Sequence, residues 1–279
     1  YCPLDFSAAR GCEARVWAGF MKANRAEMAQ YEDYARGDNL KNRMPLWIKP
    51  DRQLTKEDAF DMMRDHYEGT SMDMTQDVGA GPYACPYRWR PMGWKVDGKS
   101  YLHERATSTQ QTGFSFVSQS RSWLPDAIGA ILWWGVDDTY SSCYIPMYVS
   151  MSQTPSNVRV GNGSMLEYSP TSLFWSFNKV TNFVYSRYSD MIVDLQKVQK
   201  NLESSFTEEV AELDKQLLKV YENNPEEAIA MMTNFSEAKT SQTFEEWEKL
   251  FIYLLVKYVD GNIKCEENGR FVTNGDDIR

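Results

Sequence analysis

Strand-like and helix-like hydrophobic patterns occupy separate stretches of this chain, and this segregation most limits the folds open to it. Strand candidates cluster between residues 101 and 151, whereas helical spacing of apolar residues dominates from 169 to 260. Sequential strands joined by short turns favour antiparallel pairing. Because the strands precede the helices and do not alternate with them, the sequence predicts an α+β fold.

The strand region contains four segments bounded by turn residues. They are residues 103–108, 113–120, 130–136 and 144–150. Asp97-Gly98, just before them, is a hairpin turn signal. Residues 1–100 are interpreted as a lead-in rich in helix and loop, with irregular structure over 77–98. The whole chain is expected to form a single domain portion.

Capping signals predict where the helices begin. Thr55, with Asp58 three residues later, predicts a short helix that closes at Gly69. Further helix starts are predicted at Ser169-Pro170, Ser205, Pro225 and Thr243, with a break near Tyr188. The residues after Gly261 are polar and glycine-rich, and they predict a tail without a packed element.

Composition excludes several classes of partner. The 279 residues are 42% hydrophobic, which is enough for a real core. Thirty basic against 39 acidic residues give a net charge of −9, with no basic run, and this argues against nucleic acid or an anionic membrane surface as a ligand. The sequence has no apolar stretch of about 20 residues, so no membrane span is predicted.

Metal and histidine chemistry have little support. The five cysteines lack a CxxC spacing, and a Cys2–Cys12 disulfide stays open. His66 and His103 are the only histidines. His66 is interpreted as structural and His103 as a surface group or one that supports a site residue, and no metal or other cofactor is predicted. Asp137 and Asp138 follow a strand. Adjacent strand residues point to opposite faces, so the pair is interpreted as capping groups and not as an acid–base dyad, and a metal- or amine-binding role for one of the two stays open.

The chemically dense segment is 103–113, where hydroxyl, amide and guanidinium side chains are crowded together. Alternation along a strand would place four of them on one face, and we expect these to contact the substrate or an oxyanion: Arg105, Thr107, Thr109 and Gln111. A solvent-facing edge strand is the alternative. Arg121 is the candidate for holding a terminal carboxylate, or else it pairs with Asp126.

Several blocks, in order and spacing over about residues 15–200, resemble the cysteine dipeptidase family that includes bacterial dipeptidase A and the secernins. The first are Arg15-Val16-Trp17, Leu46-Trp47-Ile48-Lys49-Pro50, Met63-Arg64-Asp65-His66-Tyr67-Glu68-Gly69-Thr70, Asp73-Met74-Thr75 and Gly79-Ala80-Gly81-Pro82. The rest are Pro86-Tyr87-Arg88-Trp89, Ser108-Thr109-Gln110-Gln111-Thr112-Gly113, Ser120-Arg121-Ser122-Trp123-Leu124-Pro125, Gly135-Val136-Asp137-Asp138 and Tyr188-Ser189-Asp190-Met191.

The resemblance implies an αββα sandwich of the N-terminal-nucleophile hydrolase class that cleaves dipeptides. In that class the mature N-terminal cysteine is the nucleophile and its own α-amino group is the base, which needs no histidine. Cys2 follows Tyr1 and does not match the family's nucleophile segment. We therefore expect this chain to be the downstream part of the enzyme, with the nucleophilic cysteine upstream.

The expected partners are a dipeptide substrate and the upstream part of the same enzyme. A homo-oligomer stays open, as do an exported and a cytoplasmic location. Two alternatives also stay open: a non-catalytic, secernin-like protein with the same sandwich, and a binding protein that uses its aromatic surface.

Overall fold

The computed structural model describes residues 4–89 and 91–273, which form two compact units. The first unit comprises the chain up to Gln119 together with Asp137–Tyr140. The second comprises Ser120–Val136 and the chain from Ser141 onward. The single domain portion stays a prediction. Cys2, and with it the Cys2–Cys12 disulfide, lies outside the described residues.

The first unit is built from short helices and one hairpin. Its helices are α1 (Phe6–Ala8), α2 (Ala14–Ala23), α3 (Arg25–Met28), α4 (Glu32–Ala35) and α5 (Lys56–Met63). A π-helical turn, Ala9–Glu13, joins α1 to α2. Strands β1 (Gly93–Val96) and β2 (Lys99–Leu102) pair antiparallel across Asp97-Gly98, and both turn residues have positive φ, so the predicted turn is confirmed. Strand β3 (Phe114–Ser120) then leads to the second unit.

The core of the first unit is aromatic and methionine-rich. Trp17 on α2 is fully buried and its indole Nε1 donates to the Met28 carbonyl at 2.9 Å. Tyr34 and Tyr67 are buried beside it. Thr55 and Asp58 form the predicted capping box at the start of α5. The predicted end at Gly69 is wrong: α5 stops at Met63, because Arg64, with φ −94° and ψ 5°, leaves the helical conformation.

Among its described residues, the second unit contains two antiparallel strand pairs and long helices. Its elements are α6 (Asp126–Gly129), β4 (Ala130–Val136), β5 (Ile145–Tyr148), α7 (Leu173–Tyr185), α8 (Tyr188–Tyr221), α9 (Pro225–Tyr258), β6 (Lys264–Glu267) and β7 (Arg270–Thr273). Strands β4 and β5 pair antiparallel, with Leu132 opposite Met147. Helix α9 packs against α7, α8 and β5. The break before Tyr188 is confirmed.

Four predicted boundaries in the second unit are wrong. Ser205 and Thr243 lie inside α8 and α9, and their hydroxyl groups donate to Glu209 and to the Lys239 carbonyl, so neither residue caps a helix. Helix α7 begins at Leu173 after Ser172, and not at Ser169. Beyond Gly261, strands β6 and β7 form an antiparallel hairpin where a tail without a packed element was predicted.

Antiparallel strands followed by a long helical half confirm the α+β class. The αββα sandwich stays a prediction. Among the described residues, no helix has both the length and the apolar character that crossing a membrane would require.

Candidate functional site

A cavity of about 310 Å³ lies in the first unit. Most of its wall is one continuous segment, residues 104–112, and the rest comes from α2 and from residues near 74, 86–88 and 92. The polar lining consists of Arg15, Tyr87, Arg88, Glu104, Arg105, Thr107, Ser108, Thr109, Gln110, Gln111 and Thr112. Such a volume is at the lower end of the roughly 300–1,000 Å³ of small-molecule sites.

The wall segment 104–112 is not a strand. The predicted strand over 103–108 is wrong, because neither face of that segment carries alternating apolar residues and its backbone groups bond to loops instead. The Tyr67 hydroxyl donates to the Arg105 carbonyl at 2.7 Å, and the Ser108 amide donates to the Asp65 carbonyl at 3.2 Å. The Ser108 hydroxyl donates to Asp138 at 2.7 Å, so this carboxylate positions the wall.

Arg88 fixes a second part of the wall. Its guanidinium binds the Asp77 carboxylate at 2.7 Å and the Met74 carbonyl at 3.0 Å. The Gln110 amide in turn donates to the Arg88 carbonyl at 2.6 Å, which ties the two parts of the wall together. A Cβ on Gly79 would lie 3.1 Å from the Arg88 Nε atom, so a larger residue there would push on this arginine.

Two guanidinium groups in the lining of the cavity have no anionic partner among the described residues. Arg88 is neutralised by Asp77, and the lining carboxylate of Glu104 is taken by Arg10 at 2.5 Å. Within the described part of the chain, the side chains of Arg15 and Arg105 make no hydrogen bond or ion pair, and the Arg15 Nε atom is buried without a partner. The cavity is therefore electropositive, and it fits a ligand with carboxylate groups.

The structure brings together four of the five predicted site residues. Arg105, Thr107, Thr109 and Gln111 all line the cavity, along an irregular segment and not on one strand face. Their contact with substrate stays a prediction. Arg15 was missed as a site residue. Its only signal in the sequence was its place in the Arg-Val-Trp block.

Arg121 lies elsewhere, in the second unit, where it is 5% exposed. Its guanidinium forms an ion pair with Asp214 and donates to the Ile128 carbonyl at 2.7 Å. Asp126 is therefore not needed as its partner, and Arg121 holds the turn before β4 together. Its assignment to a substrate carboxylate stays a prediction, and these contacts offer no support for it.

Both histidines have aromatic neighbours. The His66 side chain is buried between Tyr87 and Tyr140, and its Nδ1 atom lies 3.3 Å from Glu68. The His103 ring lies 4.5 Å from that of Trp94. Across residues 4–89 and 91–273, no group of three or more His, Cys, Asp and Glu side chains is placed to hold a metal ion.

The described cysteines do not provide a nucleophile for the cavity. Cys12, Cys85, Cys143 and Cys265 are all absent from its lining. Burial raises the pKa of the Cys85 thiol, which disfavours the reactive thiolate. Cys143 is fully buried and inaccessible to a substrate.

Comparison with known families identifies the chain as a peptidase, a hydrolase that acts on peptide bonds. The sequence profile of Peptidase family C69 matches residues 1–201, which include the whole cavity, and the chain belongs to this family. This confirms the resemblance to cysteine dipeptidases. The link to secernins stays a prediction. A comparison with curated proteins found no match.

Proposed function

We propose that the cavity is the substrate-binding part of a cysteine-type dipeptidase. The observation that carries the proposal is the unpaired guanidinium of Arg105, set in a wall of hydroxyl and amide groups. A dipeptide presents a carboxylate, an amine and one amide in a small volume, and the cavity offers a cation and neutral polar groups on that scale. Arg105 takes the C-terminal carboxylate, the role first assigned to Arg121.

The remaining lining groups suit the peptide bond itself. Thr107, Thr109 and Gln111 can donate hydrogen bonds to a carbonyl or to the oxyanion that forms during hydrolysis. The nucleophile in this proposal is an N-terminal cysteine whose own α-amino group accepts the thiol proton. The proposal places it upstream, in line with the family resemblance, because the four described cysteines, Cys12, Cys85, Cys143 and Cys265, do not line the cavity.

Binding of Ala-Ala and of its C-terminal amide to the 279-residue chain tests the substrate assignment by calorimetry. Loss of a charge-assisted bond costs about 1.5–3 kcal/mol, so we expect the amide to bind at least tenfold more weakly. Arg105→Gln should remove that difference, while Arg36→Gln, which changes an exposed arginine of the same unit, should retain it. Equal binding of the two ligands to the unaltered chain would refute the proposal.

Turnover tests the nucleophile separately. The 279-residue chain should not hydrolyse Ala-Ala, and the enzyme with its upstream segment should. If the 279-residue chain turns over the dipeptide and Cys2→Ala abolishes this, the nucleophile is Cys2 and the upstream assignment is wrong. If dipeptides bind but neither form hydrolyses them, the non-catalytic alternative is favoured.

A further inference from the structure

We propose that Arg15 makes this cavity selective for dipeptides with a second carboxylate, on an aspartyl or glutamyl side chain. The inference rests on the proposed function, because it assumes that Arg105 takes the C-terminal carboxylate. It adds a specificity-determining residue and names the substrate class.

One donor of the Arg15 side chain lacks a hydrogen-bond partner in the described chain. Arg15 lies on α2 beside the core residues Ala14 and Trp17 and is half-buried, and its Nε atom is buried without a hydrogen bond in the described chain. A buried donor without a partner costs about 1–3 kcal/mol, and more when it is charged. Native proteins rarely retain such a cost without a use, and a ligand anion that completes the guanidinium is one such use.

The charges that line the cavity do not balance. Of its four charged lining residues, Arg88 and Glu104 are neutralised by Asp77 and Arg10. Arg15 and Arg105 remain, and together they contribute two positive charges. A peptide with only a C-terminal carboxylate would leave one guanidinium without an anion, whereas an acidic side chain supplies the second.

The two arginines belong to different elements of the first unit. Arg15 projects from α2, and Arg105 from the irregular wall segment after β2. The neutral groups of Thr107, Thr109 and Gln111 belong to the same wall as Arg105. A planar guanidinium binds a carboxylate through two parallel hydrogen bonds, so each arginine is suited to one carboxylate.

The test compares Ala-Glu with Ala-Gln, which have nearly the same shape and differ in charge. Calorimetry on the 279-residue chain should show at least tenfold tighter binding of Ala-Glu. Arg15→Gln should reduce the difference to less than twofold with little effect on Ala-Gln. Arg15→Lys should keep part of the preference, and the exposed control Arg36→Gln should keep all of it. Circular dichroism should show that each variant is folded.

The outcomes separate this inference from the proposed function. If Ala-Ala binds but Ala-Glu and Ala-Gln bind alike, or if Arg15→Gln keeps the preference, the role of Arg15 is wrong and the dipeptide site stands. If none of the three dipeptides binds, both proposals fall. Glutarate, a dicarboxylate without a peptide bond, should bind the unaltered chain and not Arg15→Gln. Should glutarate bind when no dipeptide does, the anion site stands and the peptide assignment falls.

Discussion

Tyr67 has a backbone conformation that a bulky side chain rarely adopts, with a φ of 65°, yet it is 1% exposed and bonded to the cavity wall. Tyr67→Phe keeps the ring and removes only the hydroxyl that donates to the Arg105 carbonyl. Because that carbonyl loses a buried partner, we expect unfolding free energy to fall by about 1–3 kcal/mol in urea denaturation. Tyr101→Phe, at an exposed ring on β2, is the control and should be neutral; equal effects would contradict the assignment.

The buried carboxyl group of Asp65 should make the stability of the protein depend on pH. Burial raises the pKa of its carboxyl, and the Glu68 charge adds to this, whereas the Tyr67 amide and the Lys22 and His66 charges oppose it. The folded state therefore holds the proton more tightly than the unfolded chain does. The contribution of Asp65 to stability is fully present below its unfolded pKa near 3.8 and is lost as pH rises through its folded pKa. We expect Asp65→Asn to gain stability relative to the parent between pH 4 and 7.

Thermal melts of both proteins across that pH range measure the effect. The asparagine oxygen can still accept the bond from the Tyr67 amide, which the parent carboxylate accepts at 2.9 Å. Asp58, whose pKa is lowered and which is paired with Arg52, provides the control of opposite sign. A difference between parent and Asp65→Asn that does not change with pH would contradict the prediction.

At the scale of elements, the sequence predicts those parts whose stabilising contacts are local. The Thr55–Asp58 capping box is fixed by residues three positions apart, and strand β4 pairs with the next strand along the chain; both were predicted correctly. Ser205 and Thr243 show the same local pattern as caps but lie inside helices, because packing of α8 against α9 continues through them. The sequence alone does not show this packing.

The backbone of the cavity wall also depends on contacts between residues that are distant in the sequence. Its residue types were recognisable, so Arg105 and Gln111 were predicted as site residues. Its backbone was not predictable, because its partners Tyr67 and Asp65 lie about 40 residues away along the chain. Arg15 was missed because the sequence of an amphipathic helix does not show whether an arginine on it has an ion-pair or hydrogen-bond partner.

Ser236 connects α9 to β5 through a side-chain hydrogen bond. It is fully buried within α9, and its hydroxyl oxygen accepts the Tyr148 amide of β5 at 3.2 Å. Ser236→Ala leaves that amide without the bond, and we expect a loss of about 1–3 kcal/mol in denaturant unfolding. Ser205→Ala is the matched control. Within the described part of the chain its hydroxyl bonds to Glu209 on the same helix, so alanine should be neutral or slightly stabilising there. Equal losses would show that α9 does not hold β5 through this bond.

At the scale of the whole molecule, the family match ends before the second unit does. The match ends at residue 201, inside α8, whereas the core of the second unit continues into α9. Trp247 on α9 is fully buried and its ring lies 4.6 Å from that of Phe177 on α7. The C-terminal helices are therefore part of the second unit and not an appendage to the family region.

Two truncations test this integration. The buried side chains that a chain of residues 1–201 loses include four large apolar ones of α9: Met232, Trp247, Leu250 and Leu254. At about 1.5–3 kcal/mol each, their loss amounts to roughly 6–12 kcal/mol. This is comparable to the total stability of a typical domain, about 5–15 kcal/mol. We expect the shortened second unit to show no cooperative melt and to bind an apolar dye.

A chain of residues 1–261 provides the contrast, because it lacks residues 262–279, which include the β6–β7 hairpin, and keeps α9 whole. It should melt cooperatively within a few degrees of the parent. Tryptophan fluorescence of Trp247, read against a Trp247→Phe variant, should report a buried indole in the 1–261 chain. A cooperative transition in the 1–201 chain near the parent temperature would mean that the family region folds without α9. The long C-terminal helices would then contribute little to the stability of the second unit, in spite of their buried contacts.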